Sequence, residues 1–136
     1  MEELNLRNYA YIGDCVWELF VREITIFQTQ NSEKLHKITT QKVNAEFQHG
    51  LLNKINDELS EEELEILRRG RNLPVPVARK NNQSDYRMAT AFETLIGWWY
   101  INDKERLEFI LDKIKKNEQK YPIEKCKGRH DKYDSL

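Results

Sequence analysis

The chain has 136 residues, with 22 basic and 23 acidic side chains, a formal net charge of −1, 39% hydrophobic residues and 33% charged ones. That length fits one compact domain with a real core, and the balance of apolar and charged residues excludes a disordered chain. No apolar run approaches the roughly 18 to 20 residues of a membrane span.

The N-terminus, Met1-Glu2-Glu3-Leu4, lacks the basic-then-apolar pattern of a signal peptide, and two cysteines, Cys15 and Cys126, make no disulfide framework. The expected setting is the cytoplasm, with no membrane partner. Apolar residues at 9, 12, 13, 16, 20, 24 and 27 keep the helical period and predict one long helix over about Leu6 to Gln28. Asn31-Ser32 then caps a second helix, read as continuous from Glu33 to Gln48, with Gly50 as a break and Leu51 to Ile55 as a short helix or turn. Ser60-Glu61-Glu62-Glu63 is a capping box, and its helix is expected to end at Arg68-Arg69-Gly70 with a terminal glycine.

Pro74 and Pro76 make Arg71 to Gln83 a loop. Ser84 or Asp85 caps a helix to about Tyr100, and Asp103 caps another from Lys104 to Lys120. Residues 1–120 form the expected domain and 121–136 a polar tail. With no strand-like alternation anywhere, the expected class is all-α.

Charge is unevenly spread. Six acids and no base lie between Asp57 and Glu65, whereas Arg68, Arg69, Arg71, Arg79, Lys80 and Arg87 face one acid, Asp85. That local surplus says more about partners than the near-zero total.

Two carboxylates stand in the most apolar helical stretches: Asp14 in Tyr9-Ala10-Tyr11-Ile12-Gly13-Asp14-Cys15-Val16-Trp17, and Glu93 in Ala89-Thr90-Ala91-Phe92-Glu93-Thr94-Leu95-Ile96-Gly97-Trp98-Trp99-Tyr100. A buried carboxylate costs several kcal/mol unless it meets a cation, a base or a proton. Small neighbours, Ala10 and Gly13 for the first and Ala89, Ala91 and Gly97 for the second, call for a close helix approach or a ligand. Three readings are open. Each acid takes an arginine (Arg22, Arg87), or the pair serves a hard divalent cation such as Mg²⁺, or Glu33-x-x-His36 and Glu46-x-x-His49 build a di-iron bundle. The last is disfavoured because no turn signal separates the two motifs. Cys15 in an apolar helix is a poor nucleophile. Trp17, Phe20, Trp98, Trp99 and Tyr100 supply more aromatic surface than two helices need internally, which predicts a homodimer.

Tyr11-Ile12-Gly13-Asp14-Cys15-Val16 resembles the Phe-Leu-Gly-Asp-x-Val core of the ribonuclease III signature, and Phe92-Glu93-Thr94-Leu95-Ile96-Gly97 resembles the family's second acidic motif. Arg68-Arg69-Gly70-Arg71-Asn72 and Tyr86-Arg87-x-Ala89-Thr90-x-Phe92-Glu93 resemble hallmarks of the Mini-ribonuclease III subgroup, which lacks a double-stranded-RNA-binding domain. The likeness runs from about Asn5 to Ile114. Ala10 and Thr90 stand where ordinary ribonuclease III has acids, a pattern the subgroup shares.

The resemblance implies an all-α homodimer of the ribonuclease III endonuclease type, hydrolysing double-stranded RNA to 5′-phosphate and 3′-hydroxyl ends. It makes Asp14 and Glu93 the catalytic metal ligands for Mg²⁺, or Mn²⁺ in its place, with Thr90 holding a water of the ion. Arg68, Arg69, Arg71, Asn72, Lys80 and Arg87 would meet the duplex backbone, since A-form RNA is read mostly by shape. The expected substrate is precursor large-subunit (23S) ribosomal RNA, in its maturation. A non-catalytic helical RNA- or ribosome-binding dimer is the competing class.

Overall fold

The structure, a computed structural model, describes residues 4–75 and 83–120, with the side chains of 118–120 left aside. Among these residues there are six α-helices and no strand: α1 (Leu6–Thr25), α2 (Ser32–Val43), α3 (Ala45–Ile55), α4 (Glu61–Arg71), α5 (Gln83–Asn102) and α6 (Lys104–Lys120), with a 3-10 turn at Asn56–Glu58. The expected all-α class holds, and no described helix is long and apolar enough to cross a membrane. The expected tail lies outside the described residues.

Side-chain caps set the helix starts. Asn5, Asn31, Asn44 and Ser60 each accept a backbone N–H of the first turn, and Asp103 accepts from Arg106 N at 3.2 Å. Ser60 and Glu63 complete a reciprocal capping box. The helix read as continuous from Glu33 to Gln48 is two. Asn44 leaves helical geometry (φ −77°, ψ 160°) and its Oδ1 takes Phe47 N at 2.8 Å, so the chain stops and restarts there. Gly50 breaks nothing, because α3 runs through it to Ile55. α1 stops at Thr25, short of Gln28: buried Thr25 faces Thr39, and its carbonyl closes a turn with Gln28 N at 2.9 Å.

α5 is the axis of the fold, packed by α1, α3, α4 and α6. That is why Ala89, Ala91, Phe92, Thr94, Leu95, Ile96, Gly97 and Trp99 are all buried, on more than one face. Trp17 enters the core from α1, edge-on to Phe92 with ring centroids 5.0 Å apart, and its indole N–H donates to Lys42 O at 2.9 Å. Gly70 also differs from its expected role as a terminal glycine. It lies inside α4, where a Cβ would come within 2.9 Å of Thr94 Oγ1 and 3.1 Å of Ala91 Cα, so it is the contact point of α4 on α5. Arg71 ends the helix and Asn72 follows as its C-cap, donating its N–H to Arg68 O at 3.1 Å.

Of the five aromatics behind the dimer expectation, Trp17 and Trp99 are fully buried, and Phe20, Trp98 and Tyr100 are partly buried against the same core. Among the described residues the exposed large apolar side chains are Leu4, Tyr11, Leu19, Ile26, Phe27, Leu64, Ile101 and Phe109; Tyr11, Leu19, Ile26 and Phe27 gather on α1 and its end, Phe27 at 90% exposure.

Candidate functional site

The site begins with two glycines. A Cβ on Gly13 would run into the backbone carbonyl of Glu93, and one on Gly97 into the carbonyl of Tyr9. α1 and α5 therefore cross backbone to backbone, which is the close approach the small residues called for. The crossing delivers Asp14 to the side of Glu93.

Asp14 is exposed, not embedded as its sequence context suggested. The buried stripe of α1 runs through Tyr9, Gly13, Trp17 and Val21, and Asp14 stands one helical step, about 100°, round from it. Glu93 is half-buried, and its Oε2 accepts a hydrogen bond from Gln48 Nε2 at 3.2 Å; Gln48 itself is 1% exposed. Burial first, and then the negative charge of Asp14, push the Glu93 carboxyl up to about 8; the Gln48 hydrogen bond pulls it down, and a hydrogen-bonding contact with Asp14 raises it again. Among the described residues no cation is among the groups that act on Glu93.

A second embedded carboxylate shows what charge compensation looks like in this fold. Glu63 is buried, and it accepts from Arg106 Nε at 2.9 Å, Arg106 Nη2 at 3.0 Å, Trp99 Nε1 at 2.7 Å and Ser60 N at 2.8 Å. Burial pushes its carboxyl up, but those hydrogen bonds and the Arg106 charge together outweigh it and hold the group below the usual carboxylate range. The arginine reading was right in kind and wrong in place. Arg22 pairs with Glu18 at 3.5 Å and Arg87 donates to Arg71 O at 3.3 Å, so neither takes Asp14 or Glu93.

The remaining expected site residues fall into place unevenly. Thr90 lies one turn before Glu93 and donates its hydroxyl proton to Tyr86 O at 3.0 Å, which leaves the oxygen's lone pairs as acceptors. Arg68, Arg69 and Arg71 are exposed along the last turn of α4, with Asn72 beside them. Arg68 is already engaged by Glu65 through two hydrogen bonds, one of them 2.9 Å. Arg87 ties the start of α5 to the end of α4. Lys80 lies outside the described residues.

The rival chemistries find no support. Among the described residues no three His, Cys, Asp or Glu side chains converge as a metal cage, and Glu33, Glu46 and His36 are exposed. His49 is engaged elsewhere, its Nδ1 2.7 Å from Asp85 Oδ1, which pins α3 to the first turn of α5. Gln48 and the Glu63–Arg106 pair were not singled out from the sequence. Gln48 did carry a signal: it shares the helix register of Leu51, Leu52 and Ile55, a polar residue on an apolar stripe.

Residues 7–104 match the Ribonuclease III domain, and the chain belongs to that family; it is a nuclease of the endoribonuclease class. Its relatives narrow the placement. The chain is 43% identical to a Mini-ribonuclease 3 of Clostridium tetani over 82% of this chain and 76% of the other. It is 40% identical to one of Gloeobacter violaceus over 82% of each. A crystal structure of a Fusobacterium nucleatum protein, 31% identical, superposes with a TM-score of 0.75 over 86% of this chain and 96% of that one. The resemblance to Mini-ribonuclease III is thereby confirmed.

Proposed function

We propose that the chain is a Mg²⁺-dependent endoribonuclease that cuts double-stranded RNA to 5′-phosphate and 3′-hydroxyl ends. One observation carries the reading: Glu93 is held beside Asp14 by a neutral amide, with burial and a second carboxylate both acting against its charge. Glu63 has its arginine, whereas among the described residues no basic side chain is among the groups that act on Glu93. Two carboxylates suit a hard divalent cation that keeps most of its waters, Mg²⁺ or Mn²⁺ in its place.

Asp14, exposed, and Glu93, once it has given up its proton, would hold the ion. Such an ion supplies hydroxide at neutral pH and offsets the charge that builds on the phosphate. The chain's own side chains do the rest. Thr90, its proton committed to Tyr86 O, accepts from a water and orients it. Arg68, Arg69, Arg71 and Asn72, with Lys80 and Arg87, position the backbone of the duplex. Exposed Tyr11, Leu19, Ile26 and Phe27 are the surface through which a second copy would bring a second site to the opposite strand. Precursor 23S ribosomal RNA is the natural substrate under this reading, and the cytoplasm its place.

The test is a long RNA duplex incubated with the chain, with and without Mg²⁺, and the ends mapped. Staggered cuts bearing 5′-phosphates, abolished in Asp14→Asn while duplex binding persists, are the expected result. Salt-sensitive duplex binding without any Mg²⁺-dependent cutting would establish a non-catalytic RNA-binding protein instead.

A further inference from the structure

Buried amide side chains are uncommon, because an amide left unsatisfied in an apolar setting is costly. Gln48 is 1% exposed, in register with Leu51, Leu52 and Ile55 on the core face of α3. A leucine or methionine would fill that position without a polar group to satisfy. What the amide adds is a bond across the fold, Nε2 to Glu93 Oε2 at 3.2 Å.

The rest of α3 is arranged so that this bond has a fixed origin. Asn44 caps the helix one turn earlier, through Phe47 N at 2.8 Å. One residue on, His49 grips Asp85 of α5 at 2.7 Å. α3 is thus clamped to α5 at Asp85 and at Glu93, two helical turns apart, and cannot slide along it. The partner type also matters. An arginine in place of Gln48 would neutralise Glu93, as Arg106 does Glu63, and a carboxylate would add a third negative charge. A neutral donor orients Glu93 and leaves its charge available.

We propose that Gln48 is a positioning residue of the hydrolytic site, its amide holding one Glu93 oxygen so that the ionised carboxylate faces Asp14 and a divalent cation. This rests on the nuclease reading above. Without the donor, α3 would no longer fix the direction of Glu93 Oε2, and the cation would lose the orientation of one of its two protein ligands.

The experiment compares the wild-type chain with Gln48→Met, which keeps length and volume and removes the donor. Binding of Mn²⁺ in the absence of RNA is read from the electron paramagnetic resonance signal of the free ion, and duplex cleavage is followed across a Mg²⁺ series. Mn²⁺ affinity should fall about tenfold, and the Mg²⁺ concentration for half-maximal cleavage should rise in step. The KM for duplex should stay unchanged, and excess Mg²⁺ should restore part of kcat. A purely structural glutamine would lower the amount of folded protein without moving the Mg²⁺ midpoint.

A second measurement needs no substitution at Gln48. With the glutamine side chains ¹⁵N-labelled, one Nε2 proton of Gln48 should exchange slowly, shift on addition of Mg²⁺, and lose its protection in Glu93→Ala. Unaltered Mn²⁺ binding and Mg²⁺ midpoint in Gln48→Met, or a Gln48 signal blind to Mg²⁺, would overturn the role of Gln48 while leaving the nuclease reading standing. Absence of both Mn²⁺ binding and cleavage in the wild-type chain would overturn the nuclease reading and this inference with it.

Discussion

Gly13 of α1 lies so close to the Glu93 carbonyl of α5 that a single added methyl group would occupy the same space. The candidate site is therefore set by a backbone crossing rather than by side-chain packing. Gly13→Ala must push the two helices apart, and Asp14, the next residue, moves with α1. Overpacking of this kind costs about 1–3 kcal/mol, and a displacement near 1 Å at a reacting centre costs about 10²-fold in rate. Urea unfolding and duplex cleavage should show both losses. Gly50→Ala is the matched control: a Cβ there meets nothing within 4 Å, so in mid-α3 it should add about 0.5–1 kcal/mol. Equal behaviour of the two variants would show that the crossing is looser than described.

The pH dependence of Glu93 has a definite sign. Its carboxyl is pushed up to about 8 in the folded chain, above its ordinary value, so the folded state binds a proton that the unfolded state has released. The stability this supplies is fully present below about pH 4.5 and is lost as pH rises through about 8. In EDTA, the wild type should lose stability relative to Glu93→Gln between pH 5 and 8.5, by on the order of 2–4 kcal/mol. A flat difference across that range would remove the shift. Under the proposed function a cation at Glu93 displaces the same proton, so the Mg²⁺ concentration for half-maximal cleavage should fall as pH rises, by up to about tenfold per unit below pH 8.

Glu63 has the opposite sign. Arg106, Trp99 and Ser60 hold its carboxyl below the usual range, so its contribution is present above the unfolded-state value near 4.5 and is lost as pH falls through the lower folded value. Arg106→Met strands a buried carboxylate and should cost about 3 kcal/mol near neutral pH. The cost should shrink toward pH 4 as the stranded group takes up a proton. The Mg²⁺ midpoint for cleavage should not move, which separates this structural acid from Glu93. A loss that stays constant with pH would mean that Arg106 acts through its packing alone.

Much of this architecture is written in short-range signals. Asn31, Ser60 and Asp103 cap the helices they were expected to cap, because capping depends on residues within one turn; Ser84 and Asp85 do not, since α5 already begins at Gln83 and contains both. Asn44 escaped, since Lys37 to Ala45 holds neither glycine nor proline and an asparagine is tolerated inside a helix. Its extended backbone and the bond from Phe47 N show that it ends one helix and starts another. The glycine pair was legible as a close approach, but not which backbone atoms meet. Asp14 was misjudged because an apolar context does not reveal that one helical step carries a side chain from core to solvent. The Glu63–Arg106 pair spans 43 residues, and no local pattern links the two. Gln48 is marked by its register with Leu51, Leu52 and Ile55, but its partner Glu93 lies 45 residues away and no local pattern links the two.

Arg68 is the basic residue whose present partner makes its role testable. It is exposed, and Glu65 on the preceding turn engages its guanidinium through two hydrogen bonds. Exposed pairs of this kind are worth little in stability, so Glu65→Gln should leave urea unfolding almost unchanged. It should release a full positive charge at the end of α4, beside Arg69, Arg71 and Asn72. If these residues meet the duplex, affinity at moderate salt should rise about threefold. The slope of log affinity against log salt should steepen as well, by up to about one unit. Arg68→Gln should move both quantities the other way, and the double variant should lie between the two single variants, because Glu65 also acts on the charge of Arg69. Filter binding across a salt series, in EDTA and with Asp14→Asn in every chain, measures all four. Unchanged slopes in every variant would remove the end of α4 from the RNA path and leave Arg68 to its intrahelical pair.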